Sequence, residues 1–342
     1  VDYSLHLVIN NNFDPGRQLG ELAALRELGV SSIKVFTTYR NIYLLEDWKL
    51  ARLFSAAGNE HLLLTVHAED DRLIRENLDR LGLKNPDLTR VPEIRDDRAE
   101  AAAVRKMANL SVRTGGAPVY IVHLSSRAGL EEIRAARRKG VEIYAETAPH
   151  YLLLNQKLLQ REDAPLFLMT PPLRQEEDNL ALWQGVREGL IQVIATDHCA
   201  FSREQKYASC SLDTLPGIPG VETLLPLIYT YGVKERGISL VEMVKLLSGN
   251  PARLFGLYPR KGTLEPGSDA DLVIYEPAGS RILSGEELHS AAGYTPYEGV
   301  EVTGRVLITI LRGEIVVAGR DYYGLAGQGS FIAAGESSVF SD

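Results

Sequence analysis

At 342 residues, 45% hydrophobic and 24% charged, the chain has room for one large domain with a smaller one and enough apolar residues to bury a sizeable core. A formal net charge of −8 and a pI near 5.5 exclude a general binder of nucleic acid or anionic membrane, because no basic block offsets the acidic excess. Two cysteines, Cys199 and Cys210, without CxxC spacing exclude a disulfide framework and fit a reducing cytoplasm, and no apolar run approaches the roughly 20 residues that span a bilayer.

Strand-like and helical stretches alternate from the first residue to about residue 255. The start, Tyr3 to Ile9, is already strand-like with no start methionine or leader ahead of it, so the chain is expected to begin inside a fold. Gly20 to Leu28 has helical spacing and leads to Ser31-Ser32-Ile33-Lys34-Val35-Phe36-Thr37, a β-branched and aromatic run with a lysine at its centre. A helix over Trp48 to Ala57 precedes the strand Leu62 to His67. Asp70 to Leu81 is helical, Asn85 to Pro92 is a loop rich in Pro and Asp, and Asp96 to Val112 is strongly helical. Val119 to His123 is a strand, Leu130 to Lys139 a helix whose basic cluster Arg134 to Lys139 reads as a solvated face, and Val141 to Glu146 a strand. The helix Leu180 to Leu190 then delivers the strand Val193 to Asp197. This alternation, with crossovers of helix length, indicates a parallel sheet.

From Pro259 the texture changes to turns and short strands: Leu272 to Tyr275, Val300 to Thr303, Val306 to Leu311 and Glu314 to Val317, with Arg312-Gly313 as a hairpin turn. The expected division is residues 1–258 and residues 259–342, with a Gly/Ser/Ala-rich tail from Gly324 that is extended or mobile.

Four strands end in related chemistry: Lys34, His67, His123 and Asp197. A buried ammonium without a partner costs several kcal/mol, so Lys34 must be paired, neutral or modified. Neutral imidazoles with a carboxylate form a ligand set for Zn²⁺ or a similar ion, and a neutral lysine can add CO2 to become an anionic carbamate. Ligands converging from several strands favour a (β/α) barrel over an open sheet, whose strand ends lie along a line. Six strands are found, at about 3–9, 31–37, 62–67, 118–123, 141–146 and 192–197, where closure of such a barrel takes eight. Among the other histidines, His6 is core or surface, His61 and His289 are surface, His150 follows a strand end, and His198 adjoins Asp197 as an orienting neighbour.

Ser32-Ile33-Lys34-Val35-Phe36 with Tyr39, Val66-His67-Ala68-Glu69, Val122-His123-Leu124-Ser125-Ser126, Glu146 to Leu152, Met169 to Arg174 and Ala195-Thr196-Asp197-His198-Cys199 together resemble the cyclic amidohydrolases, in their dihydropyrimidinase/hydantoinase branch. Asn250 to Leu257, Gly267 to Leu272 and Thr295 to Gly299 extend the likeness over essentially the whole chain. The resemblance implies an α/β fold, a TIM-like barrel of the metal-dependent hydrolase type lacking its first two strands, with a small C-terminal β-sandwich part. It implies two divalent ions, zinc by preference, bridged by carbamylated Lys34 and a hydroxide. Lys34, His67 and His123 would hold one ion, and Lys34 and Asp197 would contribute to the other. Asp197 would also act as general base and acid, Tyr39 would stabilise the oxyanion, and backbone near Thr170 would hold the ring amide of a dihydropyrimidine or hydantoin. A homo-oligomer, dimer or tetramer, is a further implication.

Two departures qualify the likeness. The His-x-His pair that the family uses at its first barrel strand occurs nowhere in the chain, so one ion has a full ligand set and inactivity is expected of the chain as it stands. The loop Leu215 to Glu222 is one residue shorter than in relatives and lacks the Asn that contacts the ring there. Allantoinase and dihydroorotase are the alternative activities, with Tyr39 favouring the hydantoinase branch. A non-catalytic dihydropyrimidinase-related assembly protein is the alternative of another class.

Overall fold

A computed structural model describes residues 1–82, 85–207 and 214–337; Cys210 lies outside the described residues. Six parallel strands run side by side in chain order: β1 (Leu7–Val8), β2 (Ser32–Phe36), β3 (Leu63–His67), β4 (Val119–Ile121), β5 (Ile143–Thr147) and β6 (Val193–Ile194). Each crossover carries helix, the longest being Asp47–Asn59, Asp71–Leu81, Asp97–Arg113, Arg127–Arg138 and Glu176–Arg187. Among the described residues β1 pairs only with β2 and β6 only with β5, so the arc leaves one edge of each open.

Side chains alternate across a strand, and the alternation sorts this sheet into two packing layers. Ile33, Val35, Leu62, Leu64, Val66, Val119, Ile121, Ile143, Ala145 and Ile194 join the large core under the helices. The opposite parity, Leu63, Tyr120, Val122 and Val193 with Tyr144 and Ala195, forms a separate cluster on the concave side, floored by Leu254 and Phe255. The helices obey the same logic at their ends. Asp70, Asp96 and Ser126 each accept a hydrogen bond from a first-turn amide, satisfying a donor that the helix leaves orphaned.

The C-terminal module is an antiparallel sheet in the order β10 (Asp321–Tyr322), β9 (Glu314–Ala318), β8 (Glu301–Leu311) and β7 (Leu272–Ile282). The two runs expected at 300–303 and 306–311 fuse into β8, which pairs with β7 through register shifts. Residues 224–234 and 240–254 form helical segments that alternation alone did not reveal. The tail is extended and held fast: Tyr3 bridges Phe331, the Ile332 amide donates to Tyr3 O, the Ala334 amide to Gly29 O and the Gly335 amide to Gly256 O. Ser337 is buried there and donates to Leu254 O, so the mobility entertained for this segment does not extend to residues 329–337. Asp2, 5% exposed, joins Lys261 and Arg312 in ion pairs that tie the first residues to the C-terminal module.

Candidate active site

Strand parity explains how the sequence gathers its chemistry. Lys34 on β2 shares the face of Phe36, and His67 ends β3 on the face of Leu63, so both point into the concave side. Glu146 on β5 shares the parity of Tyr144, and Asp197 follows Val193 and Ala195 on the same face beyond β6. His123 has the wrong parity, because Val122 already faces inward. Its φ of +42°, uncommon for a non-glycine residue, turns the backbone and brings the imidazole beside His67, ring centroids 4.6 Å apart and edge to face. Tyr39 and Asp197 also hold positive φ, at 61° and 46°. Three of the residues singled out from sequence therefore sit in sparsely populated backbone conformations, as functional sites commonly do.

Lys34 and Asp197 are coupled through their surroundings. Burial pushes the Lys34 amine down to about 8, while Glu146 and Asp197 oppose the shift. Burial pushes the Asp197 carboxyl up to about 7, helped by Glu146 and opposed by Lys34. Glu146 is raised by burial too, against the hydrogen bond from Tyr120 OH at 2.7 Å, the charge of Lys34 and the His123 amide. One ammonium among two carboxylates, in a half-dry cleft, gives groups that exchange protons near neutral pH.

The two imidazoles are kept neutral, the form that binds a cation: burial lowers His67 and lowers His123 strongly. His67 Nε2 meets Glu69 Oε2 at 2.7 Å, which leaves Nδ1 for a cation. Burial would push Glu69 up, but Arg95 at 2.6 Å and His67 bring it down to about 2. His123 Nδ1 is buried without a hydrogen-bond partner, an orphaned atom of the kind a ligand or cation satisfies. This donor chemistry fits a divalent ion, with Lys34 supplying the anionic ligand if carbamylated. Among the described residues no three His, Cys, Asp or Glu side chains are gathered closely enough to hold a metal by themselves.

Tyr39 and Thr170 come together: burial raises the Tyr39 phenol, and Thr170 beside it opposes the shift. Phe36 and Tyr43 stack at 4.6 Å beside them and extend an aromatic wall to His67. His198 is exposed, and its Nδ1 accepts from the amides of Gly220 at 3.0 Å and Val221 at 3.3 Å. It thus holds the loop 215–222. Gly217 is needed in that loop, because at φ +146° a Cβ would lie 2.4 Å from Cys199 O. Of the remaining histidines, His6 packs edge-on against Phe255 and bonds Ser32 Oγ at 2.5 Å, while His61 and His289 are exposed and pair with Glu336 and Glu222.

Several buried groups around the site escape sequence reasoning. Lys206 is fully buried and donates to the carbonyls of Leu168 at 2.8 Å, Leu215 at 2.7 Å and Gly217 at 3.0 Å, stitching the loop to the segment that carries Thr170. Glu100, 1% exposed, accepts from the amides of Ser125 and Ser126 and from both hydroxyls, which fixes the backbone just after His123. Arg174 spans Ser125 Oγ and Arg95 O. Glu69 stood in the motif Val66-His67-Ala68-Glu69 with no role assigned to it, and Arg95 had no periodic signal at all.

The fold and the strand-end site fit a hydrolase built on a barrel, and the model of the amidohydrolase family matches residues 49–316; the chain belongs to that family. Within it the chain falls in the branch of cyclic amidohydrolases that holds hydantoinases and dihydropyrimidinases. It is 39% identical over 338 residues to the D-phenylhydantoinase of Escherichia coli O1:K1 / APEC, covering 97% of this chain and 72% of that protein. The D-hydantoinase of a Bacillus sp. AR9 superposes with a TM-score of 0.93 at 33% identity, and the dihydropyrimidinase of Brevibacillus agri NCHU1002 with 0.93 at 31%; each match covers 98% of this chain and 74% of the other. The L-hydantoinase of Arthrobacter aurescens follows with a TM-score of 0.88 at 27% identity.

Proposed function

We propose that this chain carries the reaction centre of a hydrolase that opens a cyclic amide, a dihydropyrimidine or hydantoin ring, at its C–N bond. The observation that carries the reading is the convergence of Lys34, His67, His123 and Asp197, from β2, β3 and the ends of β4 and β6, on the concave side of one sheet, with Tyr39 and Thr170 beside them. His67, His123 and Lys34 as its carbamate would hold a divalent ion, zinc by the softness of the set, with Asp197 turned toward the same space. Such an ion supplies Lewis-acid polarisation of the ring carbonyl and lowers the pKa of water.

The side chains do the rest. A lysine titrating near 8 has a neutral fraction at pH 7 to 8, and the neutral amine adds CO2 with release of one proton. Asp197, titrating near 7, takes the proton of the attacking water and returns it to the departing ring nitrogen. The Tyr39 hydroxyl donates to the carbonyl oxygen as negative charge builds there, and the Thr170 backbone orients the ring amide. The loop 215–222, tied down by His198 and Lys206, borders the ring and accounts for a substrate preference of its own.

We further infer that these residues serve one cation, and that the 342-residue chain alone does not turn over, because a second cation needs donors such as a His-x-His pair that the sequence lacks. Exposed Ile274 and Ile315, which the strand register puts on one face of the antiparallel sheet, support pairing of identical subunits through that face. The test is metal content of the purified chain grown with zinc and bicarbonate, together with hydrolysis of dihydrouracil, hydantoin, allantoin and dihydroorotate. One metal per chain, lost in His123→Ala, is expected; no metal at all would end the hydrolase reading, and two metals with full turnover would end the one-cation inference.

A further inference from the structure

The segment Val91–Ile94 ends in Arg95, which belongs to no strand end and to no motif, yet its side chain lies between the two halves of the site. On one side Arg95 Nη1 reaches Glu69 Oε2 at 2.6 Å, and the same oxygen engages His67 Nε2 at 2.7 Å. Glu69 is fully buried, its other oxygen has no hydrogen-bond partner, and Arg95 itself is 17% exposed on its side chain. On the other side the guanidinium lies over the Tyr39 ring, 5.2 Å from its centroid. The Arg95 carbonyl is held in turn by Arg174, which also binds Ser125, two residues after His123.

We propose that Arg95 is a positioning residue that sets the imidazole of His67 and the phenol of Tyr39 relative to one another. The inference rests on the hydrolase reading for its purpose but not for its geometry. A planar guanidinium offers an edge that donates to a carboxylate and a face that stacks on an aromatic ring at the same time, whereas an ammonium offers only charge. Through Glu69 the edge holds His67 as the Nε2–H tautomer, with Nδ1 bearing the lone pair. Through its face it fixes the plane of Tyr39. A carboxylate that orients a ligating imidazole is worth about 10–100-fold in metal affinity, and here that carboxylate depends on Arg95 for its own orientation.

Two readouts test this on the intact chain without requiring turnover. Long-range ¹H–¹⁵N spectra of the metal-free chain report the tautomer of His67, and titration with Co²⁺ alone, followed by its visible absorption, reports affinity. Arg95→Met is expected to change the His67 ring shifts and weaken Co²⁺ binding about 10–100-fold. Arg95→Lys is expected to recover the His67 pattern and most of the affinity while the Tyr39 ring resonances stay displaced, a split that a loss of packing alone would not produce. Arg95→Gln carries the same comparison if the methionine variant does not fold. Unchanged His67 shifts and unchanged Co²⁺ affinity in the variants overturn the proposal and leave the hydrolase reading standing. A wild-type chain that takes up no Co²⁺ overturns that reading, while the His67 spectra still decide the role of Arg95.

Discussion

His150 is 1% exposed, both of its ring nitrogens lack hydrogen-bond partners, and burial pushes its pKa from 6.5 down to about 3. The folded protein therefore refuses a proton that the unfolded chain accepts once the pH falls below 6.5. The sign follows from proton counting: between pH 6.5 and 3 the unfolded state binds more protons, so the contribution of this residue is fully present above 6.5 and is lost as the pH falls toward 3. At pH 4.5, two pH units below 6.5, the loss is about 3 kcal/mol at roughly 1.4 kcal/mol per unit. Replacing His150 by leucine removes the titration, and because no hydrogen bond is given up it costs about 1.5 kcal/mol or less at pH 7. Urea unfolding of both proteins at pH 7 and pH 4.5 measures the difference of differences. His150→Leu should gain about 3 kcal/mol on the wild type between the two pH values. Parallel losses in the two proteins would refute the reasoning and show that the imidazole finds a partner or water in solution.

Lys206 should leave its mark at the alkaline end. Its amine, lowered by burial from 10.5 to about 8, gives a stabilisation that grows as the pH rises from 8 to 10.5 and is lost as the pH falls back through 8; Lys206→Met should flatten that rise by up to about 3 kcal/mol, and equal slopes in urea unfolding would exclude it. Packing is tested by Leu64→Ala, at a residue with 0% exposure in the layer under the helices, which should cost about 2–5 kcal/mol, against Leu264→Ala at 79% exposure, which should stay within about 0.5 kcal/mol.

How much of this site was legible before the fold was known depends on what kind of partner each residue uses. Lys34, His67 and Asp197 could be read because a period of two carries them to one face of the sheet, and the sequence states that period outright. The antiparallel module was legible for the same reason, in its alternating runs and the Arg312-Gly313 turn between β8 and β9. Lys206 could not be read, since its acceptors are three backbone carbonyls, which every residue possesses and no side chain announces. Arg95 could not be read either: its partners lie 26 and 56 residues away along the chain, and a loop imposes no spacing from which to count. His123 stands between these cases. Its place at a strand end pointed to the site, yet strict alternation after Val122 would have sent it to the helix layer, and only a positive φ returns it. If that backbone turn serves the site rather than the fold, releasing it should stabilise the chain at the expense of the ligand set. His123→Gly relieves the left-handed strain directly, by up to about 1–3 kcal/mol, while removing an imidazole whose Nδ1 makes no hydrogen bond in the folded protein. A variant that is more resistant to urea and no longer takes up Co²⁺ would show that strain at residue 123 is retained for the cation. A less stable variant would show that the imidazole is packed there for the fold.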